Sequence, residues 1–117
     1  MLTVRDVDAT CRFYRRVLGM EPITFAGGRT ALRFGVQKLN LHQAGAEIEP
    51  HAGSPAPGSA DLCFLTDAPS SDVVAHLEAC GVAVELGPVE REGASGRLSS
   101  VYFRDPDGNL VEVGTPA

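Results

Sequence analysis

The chain has 117 residues, a formal net charge of -5 and a pI near 5.0, with 44% hydrophobic and 21% charged residues. That is one ordinary globular domain rather than a disordered chain, and too little chain for two independent cores. An acidic balance excludes nucleic acid and anionic membrane as main partners, because both demand a basic surface, and it leaves a small molecule as the natural ligand class.

In chain order, "MLTV" opens as a short strand, and Asp8 to Leu18 ("DATCRFYRRVL") reads as an amphipathic helix. Asp8 is its expected N-cap, Gly19 its stop, and Phe13, Val17 and Leu18 its apolar face. Arg15 and Arg16 fall on the solvated side. Three strand-like runs follow: "MEPITFA", "TALRFG" after the Gly27-Gly28 turn, and "KLNLHQ". From Ala44 to Gly58 the chain turns rich in Gly, Pro and Ala without a period of either kind, as a linker does. Beyond it come strand "ADLCFLT", helix "SSDVVAHLEACG", strand "VAVEL", and the pair "RLSSVYFR" and "NLVEVG" joined by "DPDG". The three cysteines, Cys11, Cys63 and Cys80, form no CxxC pattern, so free thiols in the reducing cytoplasm are expected. No apolar run approaches the ~20 residues of a membrane span.

The same order of elements thus occurs twice. The expected fold is α+β, with two βαβββ modules forming a cup-shaped curved mixed sheet: module one at 1–44, a linker at 45–59 and module two at 60–117. Strand periodicity then assigns faces. Leu62 and Phe64, Val111 and Val113, and Leu39 and Leu41 suit the helix-packed side. Asp61, Cys63, Leu65, Leu110, Glu112, Asn40 and His42 point the other way, and by the same count so do Ala31, Arg33, Ser100 and Tyr102. A carboxylate at 112, in the middle of an apolar strand, needs something positive to receive it, a metal or a basic group.

The two modules, the segment "LTVRDVDATCRFYRRVLGME" and the closing "YFRDPDGNLVEV" resemble the vicinal oxygen chelate superfamily of glyoxalase I, extradiol dioxygenases and bleomycin-resistance proteins. The stretch from "ALRFGVQKLNLHQ" to "GSADLCFLT" is most similar to the glyoxalase domain-containing protein 5 type. The resemblance implies a divalent metal ion (Zn, Ni, Mn or Fe) held by strand residues of both modules. Its ligands would fall on Glu112, on Asp61 where the family most often has His, and on Asn40 or His42, with His42 the better donor. The first-strand ligand would fall two residues before Met1, which implies a start further upstream.

Two functions stay open on these residues. One is a glyoxalase-like, metal-dependent enzyme of lyase, isomerase or dioxygenase type, acting on a small oxygenated substrate with Glu112 catalytic and Arg33 and Tyr102 binding substrate. The other is a metal-free protein that sequesters a small molecule, as bleomycin-resistance proteins do. Plainer alternatives stand beside each residue: Glu112 as a watered surface-strand carboxylate, His42 as an exposed strand histidine, Asp61 as the end of a loop, and Arg33 paired with a neighbouring carboxylate. His51 and His76 read as solvated. A homodimer is expected in either case.

Overall fold

The computed structural model describes residues 1–117. They form two compact units, one of residues 1–60 with 106–108, the other of residues 61–105 with 109–117. The first holds module one: β1 (Leu2–Val4), α1 (Val7–Leu18), β2 (Glu21–Phe25), a 3-10 turn at Ala26–Gly28, β3 (Arg29–Phe34) and β4 (Gln37–Gln43). Its sheet runs β1-β4-β3-β2, with β1 parallel to β4 and the other pairs antiparallel. The second holds β5 (Asp61–Leu65), α2 (Ser70–Ala79), β6 (Leu86–Gly93), β7 (Gly96–Arg104) and β8 (Leu110–Pro116), in the equivalent order β5-β8-β7-β6. The βαβββ repeat legible in the sequence is therefore present twice, each copy a four-stranded mixed sheet.

Helix α1 begins one residue before the expected start. The cap is Asp6, not Asp8: its carboxylate accepts from the Ala9 N–H at 3.1 Å, while Asp8 sits in the first turn, where a negative charge suits the helix dipole. Gly19 closes the helix at φ 67, with its N–H on Arg15 O and that of Met20 on Tyr14 O. The fully buried stripe is Thr10, Tyr14 and Val17, an i, i+4, i+7 pattern, whereas Phe13 and Leu18 are half-buried. Burying side chains of this size contributes about 1.5–3 kcal/mol each before entropy is counted. The helix packs on β2, β3 and β4. Gln43, at the end of β4, ties the turn between β1 and α1, donating to Val4 O and Arg5 O and accepting from Val7 N–H.

In module two the alternation on β5 and β8 falls as expected. Val111 and Val113 are buried, Leu62 and Phe64 half-buried, and Asp61, Cys63 and Leu65 exposed. The expected strand "VAVEL" is corrected by the structure. Residues 82–85 are irregular, and β6 starts at Leu86 and carries the Gly87-Pro88 pair that reads as a breaker. Proline is tolerated because β6 is an edge strand, and a register shift between Leu86 and Val89 absorbs the irregularity. Only glycine serves at 87: φ is 119, and a Cβ there would lie 2.4 Å from Ser100 O.

The "DPDG" turn is held at both levels. Asp105 and Asn109 are buried, and the Asp105 carboxylate accepts from the Asn109 backbone N–H at 3.0 Å and its Nδ2 at 2.8 Å. Within the first unit, Asp107 accepts from Arg5 N at 3.1 Å and Nη1 at 3.2 Å, and its side chain is only 4% exposed. No helix is long and apolar enough to cross a membrane.

Candidate functional site

On module two, strand register sets four residues in one row across the sheet. Leu86 is opposite Tyr102, Tyr102 opposite Glu112, and Glu112 opposite Cys63. Because β-strand side chains alternate, all four emerge on the face that Val101, Phe103, Val111 and Val113 do not use. Glu112 is half-buried between fully buried valines. Its Oε2 accepts from Ser100 Oγ at 2.7 Å, and Ser100 itself is wholly buried. The Cys63 thiol is pushed up from its ordinary pKa, first by burial, then by the Glu112 charge and by a hydrogen bond to Glu112, with a lesser contribution from Asp61. Although residue 63 as a whole is exposed, its sulfur is partly shielded beside Glu112, and the thiol is a protonated donor toward that carboxylate at neutral pH.

Tyr102 is oriented by Arg91, whose Nε donates to the phenol oxygen at 3.1 Å and whose guanidinium lies 5.6 Å from the ring centroid. That leaves the phenol hydroxyl to donate outward. Asp61 lies at the exposed start of β5, opposite Leu110. Nearby, Arg104 donates two hydrogen bonds to the Glu85 carboxylate, from Nε to Oε1 at 2.9 Å and from Nη2 to Oε2 at 3.0 Å, and this lowers the Glu85 carboxyl. The same hydrogen bonding raises Arg104, with Asp61 a minor contributor. Two large apolar side chains stand exposed on the Glu112 face, Leu65 at 67% and Leu86 at 46%.

In module one, Arg33 is ion-paired with Glu21, its cross-strand neighbour, at 2.9 Å, as the plainer reading of that residue has it. His42 on β4 is buried, not an exposed strand histidine, and its Nδ1 has no hydrogen-bond partner; neither does the buried Oδ1 of Asn40. His51 pairs with exposed Glu49 at 3.2 Å and is pushed up chiefly by its bond to Ala52 O. His76 lies 3.6 Å from Cys80 Sγ. Sequence reasoning put Ser100 on the right face yet gave it no role, and it passed over Arg91 altogether. A lone serine between apolar residues and an arginine on an edge strand carry no signal until register brings them to Glu112 and Tyr102.

The resemblance-derived metal donors divide between the units, His42 in the first and Asp61 and Glu112 in the second. A partnerless imidazole nitrogen and a carboxylate are the right chemistry for a divalent ion. Yet no three His, Cys, Asp or Glu side chains of the chain gather into a group that would hold one.

Residues 1–113 match the family described as Glyoxalase/Bleomycin resistance protein/Dioxygenase superfamily. The chain is 54% identical over 113 residues to the virulence protein STM3117 of Salmonella typhimurium, covering 97% of this chain and 78% of that one. An integron cassette protein from the mobile metagenome of V. cholerae superposes with a TM-score of 0.96 at 55% identity, over 99% of this chain and 91% of that one. A lactoylglutathione lyase from Agrobacterium tumefaciens superposes at 0.71 with 32% identity, over 97% and 88%. With the duplicated βαβββ module and a match that runs almost end to end, the chain belongs to the glyoxalase/bleomycin resistance protein/dioxygenase superfamily.

Proposed function

We propose that the chain is a glyoxalase-like enzyme that acts on a small oxygenated molecule at the Glu112 face of module two. The observation that carries this is the half-buried Glu112 carboxylate, accepting from Ser100 and Cys63 in a strand otherwise packed with valine. A fixed carboxylate of this kind takes the proton from a carbon alpha to a carbonyl, while the C–H electron pair moves into the carbonyl as an enediolate. The same carboxyl returns the proton to the neighbouring carbon while the hydroxyl proton passes from one oxygen to the other, so the step is an isomerisation with nothing consumed. Tyr102, held by Arg91, donates its hydroxyl to the oxygen on which charge develops. Likeness to the lactoylglutathione lyase of Agrobacterium tumefaciens supports this class of chemistry.

A divalent ion belongs to the proposal as a Lewis acid that would spread the enediolate charge. Its donors would come from among His42, Asp61 and Glu112, and no step above runs through it. We place the enzyme in the cytoplasm as a homodimer. The free cysteines and the exposed Leu65 and Leu86 support those two readings. Solvent deuterium exchange alpha to the carbonyl, followed by NMR on α-hydroxyketones and thiohemiacetals of 2-oxoaldehydes, tests the reaction. Exchange that falls by about 10²–10⁴ in Glu112→Gln supports it; equal exchange in parent and variant overturns it.

The second reading, a binding protein that sequesters its ligand, is favoured by Leu65 and Leu86, which offer an apolar grip on the same face. Tight binding of an apolar small molecule with no exchange would select it.

A further inference from the structure

We propose that a groove between helix α1 and the "DPDG" turn binds the phosphate monoester of a flat aromatic molecule, with the size and charge of a nucleoside monophosphate. The groove has a volume of about 680 Å³ and is lined by Ala9, Arg12, Phe13, Arg15 and Arg16 of α1 and by Pro106 of the turn. All six residues belong to the first unit, so the groove owes nothing to Glu112. Its volume falls within the roughly 300–1,000 Å³ of small-molecule pockets and exceeds what inorganic phosphate needs.

Charge sets the class of ligand. In a chain of formal net charge -5, three of the ten Lys and Arg line this one groove, and no Asp or Glu does. Arg5, Arg33, Arg97 and Arg104 each have a carboxylate partner, whereas Arg12 and Arg15 are exposed and have none. Arg15 stands in the last turn of α1, where a positive charge suits the helix dipole; Arg12, in the middle of the helix, has no such account. Ala9, Arg12, Phe13 and Arg16 follow i, i+3, i+4, i+7 spacing and share one helix face, with Arg15 beside Arg12 at i+3. Two guanidinium forks one turn apart suit a phosphate, which has oxygens for both, while a carboxylate is filled by one. The aromatic half follows from Phe13 and Pro106. Phe13 is half-buried, its ring set edge-on against Tyr14 with centroids 5.4 Å apart, which holds it in place. Pro106 is exposed, and its turn is pinned to the first unit by the Arg5–Asp107 ion pair at 3.2 Å. A planar ring packs on Phe13 with Ala9 and Pro106 beside it, and the long arginine side chains bring their charge to its phosphate.

The test is an NMR titration of the full chain, at fixed ionic strength, with AMP, adenosine, ribose 5-phosphate and inorganic phosphate. The expected result is saturable binding of AMP, with shifts of the Phe13 ring and of the Arg12 and Arg15 Nε–H signals. Adenosine, which lacks the phosphate, and ribose 5-phosphate, which lacks the ring, should each bind more weakly by about tenfold or more, the loss of a charge-assisted hydrogen bond or of a stacked ring. Arg12→Gln combined with Arg15→Gln, both at exposed positions, should weaken AMP about tenfold or more and leave adenosine unchanged. Phe13→Leu keeps an apolar side chain at a half-buried position; it should weaken AMP and adenosine alike and leave ribose 5-phosphate unchanged. No saturable shift with AMP, equal affinity for AMP and inorganic phosphate, or AMP binding untouched in the double arginine variant overturns the proposal. Glu112→Gln should bind AMP as the parent does, so loss of exchange activity and loss of this groove are read separately.

Discussion

Ser100 Oγ lies 2.7 Å from Glu112 Oε2, a diagonal contact across the β7–β8 ladder made by a wholly buried hydroxyl. Its removal in Ser100→Ala takes one donor from a half-buried carboxylate without changing the strand. A cost of about 1.5–3 kcal/mol is expected in chemical denaturation, as for a hydrogen bond to a charged group. Exchange activity should fall while substrate affinity changes little, because the lost bond orients the carboxylate rather than the ligand. Unchanged stability and activity together would remove Ser100 from the site.

Cys63 reports on the same carboxylate. Its thiol is pushed up by burial and then by Glu112, so in a Cys11→Ser, Cys80→Ser background its alkylation should begin at a higher pH than that of a free thiol. Glu112→Gln removes the charge and should move that profile down. The sign for stability follows: a folded pKa above the unfolded one gives stability that is complete below the unfolded pKa and lost as pH rises through the folded pKa. Cys63→Ser should therefore flatten the alkaline decline. A profile that does not move in Glu112→Gln would show the two groups to be uncoupled.

Asn109 and Asp105 give the turn its stiffness. Asn109→Ala withdraws the 2.8 Å donor from a buried carboxylate and should cost about 1–3 kcal/mol. Asn109→Asp sets a second carboxylate against the first and should cost more. Thermal unfolding of the two variants checks the order, and an aspartate variant as stable as the parent would contradict it.

How much of this was legible in the sequence depended on how local each determinant is. The repeat, the valine alternation around Glu112 and the "DPDG" turn rest on short-range periodicity and turn chemistry, and they read through directly. Asp6 displaced Asp8 as the cap because both residues suit the position, and only backbone geometry distinguishes them. Strand β6 was hidden because Gly87 and Pro88 are breakers in general, tolerated here by an edge position that is a tertiary fact. The Ser100 and Arg91 contacts depend on register across strands far apart in sequence. So does the burial of His42, which strand parity alone could not supply.

Gly87 offers a direct check on that hidden strand. With φ at 119 and a would-be Cβ 2.4 Å from Ser100 O, Gly87→Ala must move backbone rather than a flexible side chain. A loss of about 2–3 kcal/mol is expected. Because the displaced carbonyl belongs to Ser100, exchange activity should fall with it. Alanine at the unconstrained Gly53 is the control and should be nearly neutral, since nothing lies within 4 Å of its Cβ.

His42 makes a prediction of opposite sign. An unpartnered Nδ1 on a buried histidine costs the folded state its lost hydration, so His42→Leu should stabilise the chain by about 1 kcal/mol. For a domain of this size that is a rise in Tm of roughly 3–5 °C. A gain in stability on removing it is the trade expected of a polar group retained for binding rather than for the fold. If His42→Leu instead melted lower, the imidazole would have to be contributing packing that outweighs its desolvation, and the case for a retained binding group would fall. Asn40→Leu, half-buried on the same strand with an unpartnered Oδ1, should follow His42→Leu in the sign of its Tm shift.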